Sequence, residues 1–94
     1  MKEKTIEQKL VKRTKELKGL CLKLSCPGYD GMPDRLVLLP KGKMGFVEVK
    51  RKGIKPRPLQ IARHKLLKGI GFKVFVLDDE NQIGGILDDI NNKM

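Results

Sequence analysis

Three ionisable residues, Asp34, Glu48 and Lys50, stand where an alternating apolar pattern leaves little room for them. They lie in a stretch of two apolar runs, Leu36–Leu39 and Met44–Val49, joined by the turn formers Pro40-Lys41-Gly42-Lys43. That pattern predicts a β-hairpin. In antiparallel strands joined by a short turn, the start of one lies beside the end of the other. Asp34 should therefore meet Glu48 and Lys50 at the open end of the hairpin. Two carboxylates brought together raise one another's pKa unless a cation intervenes. Hard oxygen ligands in a small open cluster suit Mg²⁺ or Mn²⁺. A lysine beside them can orient an attacking water and stabilise charge developing on a phosphate. That is phosphodiester hydrolysis chemistry. The plainer reading makes Asp34 a turn cap and Glu48–Lys50 an ion pair. Against it stand the proline directly before Asp34, the single apolar residue between Glu48 and Lys50, and a strongly cationic chain around them.

The charge is unevenly placed. Of the 21 basic residues, 20 fall in residues 1–77 with six acids, whereas residues 78–94 carry one lysine and five acids. A basic body of net +14 with an acidic tail of −4 points to a polyanionic partner, most often nucleic acid. No run is apolar enough to span a bilayer, and Met1-Lys2-Glu3-Lys4 lacks the apolar segment of a secretory signal. Cys21 and Cys26, with one histidine in the chain, argue against a disulfide framework or a structural zinc site and for a reducing, cytoplasmic setting. Ninety-four residues suffice for one domain, 1–94, with one small core.

These residues need elements to position them. Residues 3–18 predict a helix with Ile6, Leu10, Arg13 or Thr14, and Leu17 on one face and Gly19 at its end. Glu7 flanks that stripe, while Glu3 and Glu16 read as surface acids paired with lysines. Leu20–Leu24 alternates as a strand with its leucines inward, and Cys21 and Cys26 read as partly buried fillers. The loop Ser25–Met32 then delivers the chain to Pro33-Asp34. Past the hairpin, Lys50–Arg57 is rich in basic residues and broken by Gly53 and Pro56, a loop suited to a phosphate backbone. Pro58 opens a helix over Leu59–Gly69 whose buried face is predicted as Leu59, Ala62, Leu66, Leu67 and Ile70. Gln60 and His64, four apart, share another face. Phe72–Leu77 predicts a central strand. Asp79 and Gln82 have the spacing to open a last helix with Ile83, Leu87 and Ile90 inward, although Gly84-Gly85 weakens it. The expected fold is α/β in the order αβββαβα. Its mixed β-sheet combines the antiparallel hairpin with a parallel strand reached by a right-handed crossover, flanked by helices.

Pro33-Asp34 followed on the next strand by Glu48-Val49-Lys50 resembles the motif of PD-(D/E)-x-K nucleases. Gly31-Met32-Pro33-Asp34-Arg35, the basic loop, and Arg57-Pro58-Leu59-Gln60 with His64 resemble more narrowly the VRR-NUC branch, including its small stand-alone phage members. The resemblance runs from about Glu7 to Leu77. It implies a restriction-endonuclease-like core, with Asp34 and Glu48 as metal ligands, the Val49 carbonyl as a backbone ligand, and Lys50 as the catalytic lysine. It further implies Glu7 as the first-helix acid near the metal, commonly through water, and Gln60 as the glutamine that supports the site. Cleavage of branched DNA such as four-way (Holliday) junctions, dependence on Mg²⁺ or Mn²⁺, and a homodimer in the host cytoplasm follow as expectations. Lys41, Lys43, Arg51, Lys52, Lys55, Arg57, Arg63 and His64 are the expected DNA contacts. The competing classes are a non-catalytic nucleic-acid-binding protein and a subunit of a helicase or packaging complex. Few aromatics, Tyr29, Phe46, Phe72 and Phe75, leave little for a base-stacking platform.

Overall fold

Apolar spacing at Ile6, Leu10 and Thr14 builds the first helix, α1 (Glu3–Glu16), and all three side chains are fully buried. Thr14 keeps its hydroxyl satisfied inside that face by donating to the Leu10 carbonyl at 2.8 Å. The helix stops at Leu17, with Lys18 in the left-handed region at φ 67°. Gly19 follows because the chain there touches the sheet: a Cβ would lie 2.4 Å from the Leu38 carbonyl oxygen. The computed structural model describes residues 2–92.

Strands β1 (Leu20–Lys23), β2 (Arg35–Leu39), β3 (Lys43–Val49) and β4 (Val74–Leu77) form one sheet in the order β1-β2-β3-β4. The first three are antiparallel neighbours, and helix α2 (Pro58–Gly69) carries the chain back so that β4 runs parallel to β3. A short 3₁₀ turn at Pro40–Gly42 closes the β2–β3 hairpin, with Lys41 at φ 69° and Gly42 at φ 75°. A second 3₁₀ turn, Glu80–Gln82, leads into α3 (Ile83–Asn91). Asp79 accepts from the Asn81 N–H, and Gln82 reaches back to the Asp78 N–H, so both residues serve the predicted start of the helix. Mixed sheet and flanking helices are as expected from the sequence. The strand expected at Phe72–Leu77 begins at Val74.

Register assigns the faces. Val37, Leu39, Val47, Val49 and Leu77 face α1 and α3 and pack with Ile6, Leu10, Ile83, Ile86, Leu87 and Ile90 into the main core. Close approach there is permitted by Gly45, where a Cβ would meet Ile90 at 2.7 Å. Among the described residues the opposite face is covered by α2 alone, where Leu67 packs on Phe46 and Val74, and Leu24, Met32, Leu36 and Met44 are partly buried. Phe72 sets its ring edge-on to Phe46, with centroids 5.8 Å apart.

Two expectations fail on this side. Leu20 and Leu22 point outward, 58% and 43% exposed, while Cys21 turns to the core. Alternation in β1 is real, but among the described residues one helix covers this face, and it lies over β4 and Phe46 of β3. Helix α2 is also rotated from its predicted setting. Leu59, Leu66 and Ile70 are exposed, and the side turned to the sheet carries Gln60, His64 and Leu67. What those two polar residues meet explains the rotation.

Candidate active site

The hairpin register pairs Arg35 with Val47, so the next pair outward sets Asp34 opposite Glu48. Opposed residues of an antiparallel pair share a face, and here it is the α2 face. Pro33, fully buried, anchors the chain just before Asp34. The Asp34 carbonyl accepts from the Leu24 N–H at 2.9 Å, and its carboxylate Oδ1 accepts from the Val49 N–H at 3.0 Å. Phe46 and Lys50 donate their N–H groups to Lys73 and Leu77 across the β4 boundary, both at 2.8 Å. Alternation along β3 therefore turns the Val49 amide, N–H and carbonyl alike, toward the Asp34 side.

Glu48 is 2% exposed. Its Oε2 accepts from Gln60 Nε2 at 3.0 Å and lies 3.5 Å from Lys50 Nζ. Its Oε1 has no hydrogen-bond partner and faces His64 Nε2 at 3.6 Å. Gln60 is held in turn, because its Oε1 accepts from the Arg57 N–H at 2.8 Å at the start of α2. This is why α2 turns its polar pair inward: a buried carboxylate needs donors more than the sheet needs another leucine. Burial, followed by the charge of Asp34, pushes the Glu48 pKa up to about 7 from 4.5, against the pull of Lys50. Asp34 is raised as well, by burial first, with the Val49 hydrogen bond opposing and Glu7 and Glu3 adding to the rise. Burial first, then Lys68 and Lys50, depresses the His64 pKa below its ordinary value.

Glu7, expected near the metal, is engaged by an ion pair. Its carboxylate accepts from Arg35 Nε at 2.8 Å, and Arg35 also donates to the Cys21 carbonyl at 3.2 Å. It reaches Asp34 through its field alone. Among the described residues, no three His, Cys, Asp or Glu side chains gather as a metal-binding group. The acid missed in the sequence is Glu3. With Lys2, Lys50, Arg51 and Ile54 it lines an open cleft of about 420 Å³, and its charge raises both Asp34 and Glu48. Its spacing of four from Glu7, which sets the two on one helix face, was the available signal.

The expected DNA contacts divide. Arg51, Lys55 and Arg57 are exposed on the loop beyond Lys50, and Lys52 there is 72% exposed while paired with Asp79 at 3.2 Å. Lys41 and Lys43 sit at the far end of the hairpin, where Lys43 Nζ donates to the Asn91 carbonyl. Arg63 braces the Ser25–Met32 loop, donating to the Asp30 carbonyl at 2.8 Å and stacking 3.9 Å over the Tyr29 ring. His64 is not a surface contact at all, being 7% exposed against Glu48. Its spacing from Gln60 was read correctly as a shared face, but that face points to the sheet.

The chain matches no protein-family model. Along its length it is similar to "Putative nuclease p44" of Acyrthosiphon pisum secondary endosymbiont phage 1, 42% identical over 91 residues and covering 97% of each chain. Among solved structures it is similar to a VRR_NUC domain at 37% identity, with a TM-score of 0.87 over 94% of this chain and 96% of that one. Likeness in sequence and in fold runs along nearly the whole chain, and the chain belongs to the VRR-NUC nucleases.

Proposed function

We propose that this protein is an Mg²⁺- or Mn²⁺-dependent DNA endonuclease that hydrolyses phosphodiester bonds in branched duplexes such as four-way junctions. The observation that carries the metal is the pairing of Asp34 and Glu48, two carboxylates on one face with both pKa values raised. The donor set fits a hard cation. Asp34 uses one oxygen on Val49, Glu48 Oε1 is buried without a hydrogen-bond partner, and among the described residues no third acid closes the group. Two carboxylates completed by a carbonyl, water and substrate phosphate are what Mg²⁺ commonly accepts. Asp34, Glu48 and the Val49 carbonyl would hold it, and the bound ion would supply Lewis acidity toward phosphate and water.

The remaining chemistry belongs to the chain's own side chains. Lys50, 15% exposed beside Glu48, orients a water and offsets negative charge on the reacting phosphate. Gln60 holds the Glu48 carboxylate. Glu7, engaged by Arg35, shapes the field at Asp34. Arg51, Lys52, Lys55 and Arg57 hold the backbone of the DNA, as exposed cations on a loop do. The homodimer reading draws on exposed apolar side chains, Leu20 and Leu22 on the sheet and Leu66 and Ile70 at α2, each 43–65% exposed. Action in the host cytoplasm rests on the phage source of the similar protein and on free cysteines. No helix among the described residues is long and apolar enough to cross a membrane.

The test is incubation of the purified protein with labelled linear, flap and four-way-junction DNA in Mg²⁺, Mn²⁺ or EDTA. Scission in either metal, none in EDTA and fastest cutting of the junction are expected. Asp34→Asn and Glu48→Gln should lose more than the roughly 100-fold that outer-sphere changes reach, with circular dichroism unchanged. Lys50→Ala should lose turnover while keeping Mn²⁺. Salt-sensitive DNA binding without scission in any metal would overturn the reading in favour of a non-catalytic binder.

A further inference from the structure

His64 is left without a task by everything above. It is buried, its Nε2 has no hydrogen-bond partner, and the atom it faces, Glu48 Oε1 at 3.6 Å, is the other orphaned polar atom of the site. Burying an unpaired polar group is unfavourable, so a mere filler of this position would be better apolar. Leu67, one turn further on the same face, is apolar. Gln60 and His64 stand four residues apart on α2, and each reaches a different oxygen of the one carboxylate.

We propose that His64 is a positioning residue that donates from Nε2–H to Glu48 Oε1, so that α2 grips both oxygens of Glu48 from behind and fixes the orientation in which it meets the cation; this rests on the metal-dependent reading. A neutral imidazole with its proton on Nε2 is a donor toward a carboxylate, whereas a bare Nε2 would set two acceptors face to face. The separation exceeds hydrogen-bond length by only a few tenths of an ångström. Catalytic-site hydrogen bonds commonly tighten on loading. The grip has two independent points, so removing one leaves Glu48 free to swing about the other.

Mn²⁺ affinity of the whole protein, followed by titration calorimetry and by the EPR signal of free Mn²⁺, is the readout, with His64→Phe and His64→Gln as variants. His64→Phe removes the donor and should weaken Mn²⁺ binding 10- to 100-fold, the range for outer-sphere partners of metal ligands. His64→Gln restores an N–H donor and should recover most of that loss. Metal-free melting temperature should be unchanged or higher in His64→Phe, and DNA affinity in EDTA should not move, since the ring is buried. Equal Mn²⁺ affinity in wild type and His64→Phe, or a folded His64→Gln as weak as His64→Phe, overturns the positioning role and leaves the nuclease reading intact. A wild type that binds no Mn²⁺ overturns both.

Discussion

The two faces of the sheet are built on different terms. On the α1/α3 face, eleven apolar side chains at 7% exposure or less close into one cluster. On the other, a single helix covers part of the sheet, its inward stripe is mostly polar, and leucines stand in solvent beside it. One face holds the chain together. The second encloses Glu48 at the cost of apolar contact, and its coverage serves desolvation of a carboxylate rather than stability. Fold and site have thus been allotted to opposite sides of four strands.

The largest effect that would break this contrast is in the main core. Leu10→Ala and Leu77→Ala, at fully buried positions, should each lower unfolding free energy by about 2–5 kcal/mol. Leu20→Ala and Leu66→Ala, half-exposed on the other face, should change it by less than about 1 kcal/mol in the monomer while weakening self-association. Denaturant melts and sedimentation velocity separate the two, and equal losses of stability would erase the distinction.

Next in size is the stability hidden in Glu48. Its folded-state pKa of about 7 lies above the ordinary 4.5, so between those values the folded protein keeps a proton that the unfolded chain has released. Stability of the metal-free protein should therefore fall as pH rises through that window, by on the order of 3 kcal/mol in total. Asp34 acts in the same direction. Glu48→Gln should flatten most of the slope and be more stable than wild type at pH 8 without metal. A melting temperature that rises with pH over this range would contradict the desolvated site.

The smallest effect concerns the acidic segment. Asp79 holds Lys52 at 3.2 Å, and elsewhere in the segment Glu80 pairs with Lys9 and Asp89 with Lys73. Because the Lys52–Asp79 pair is exposed, Asp79→Asn should leave stability nearly unchanged. It should tighten DNA binding slightly at low salt by releasing Lys52, which fluorescence anisotropy can read.

Much of this was legible in the chain. The hairpin, its turn and the parallel return of β4 follow from apolar runs and turn formers, and Ile83, Leu87 and Ile90 were read to their observed core positions. Asp34 and Glu48 could be brought together because strand pairing is local. The inward faces of β1 and α2 were not legible. Alternation reveals that a strand has two sides but not which side another element covers, and a leucine stripe in a helix is indistinguishable from a core stripe when a buried acid elsewhere claims the opposite face. The placement of Glu7 depended on Arg35, whose side chain crosses from β2 to α1.

One consequence of the register remains. Asp34 and Glu48 are opposed only because Arg35–Leu39 pairs residue for residue with Lys43–Val47 back from the Pro40–Gly42 turn. The site thus inherits an odd-or-even rule from a bend about five residues, roughly 17 Å, away. Deleting one residue within β2 while the turn keeps its pairing would set Asp34 opposite Val47, on the wrong side of the sheet. Chain length between the turn and the Asp34–Glu48 pair therefore sets whether the two carboxylates meet, and substitutions in the turn are tolerable where a single-residue deletion in that strand is not.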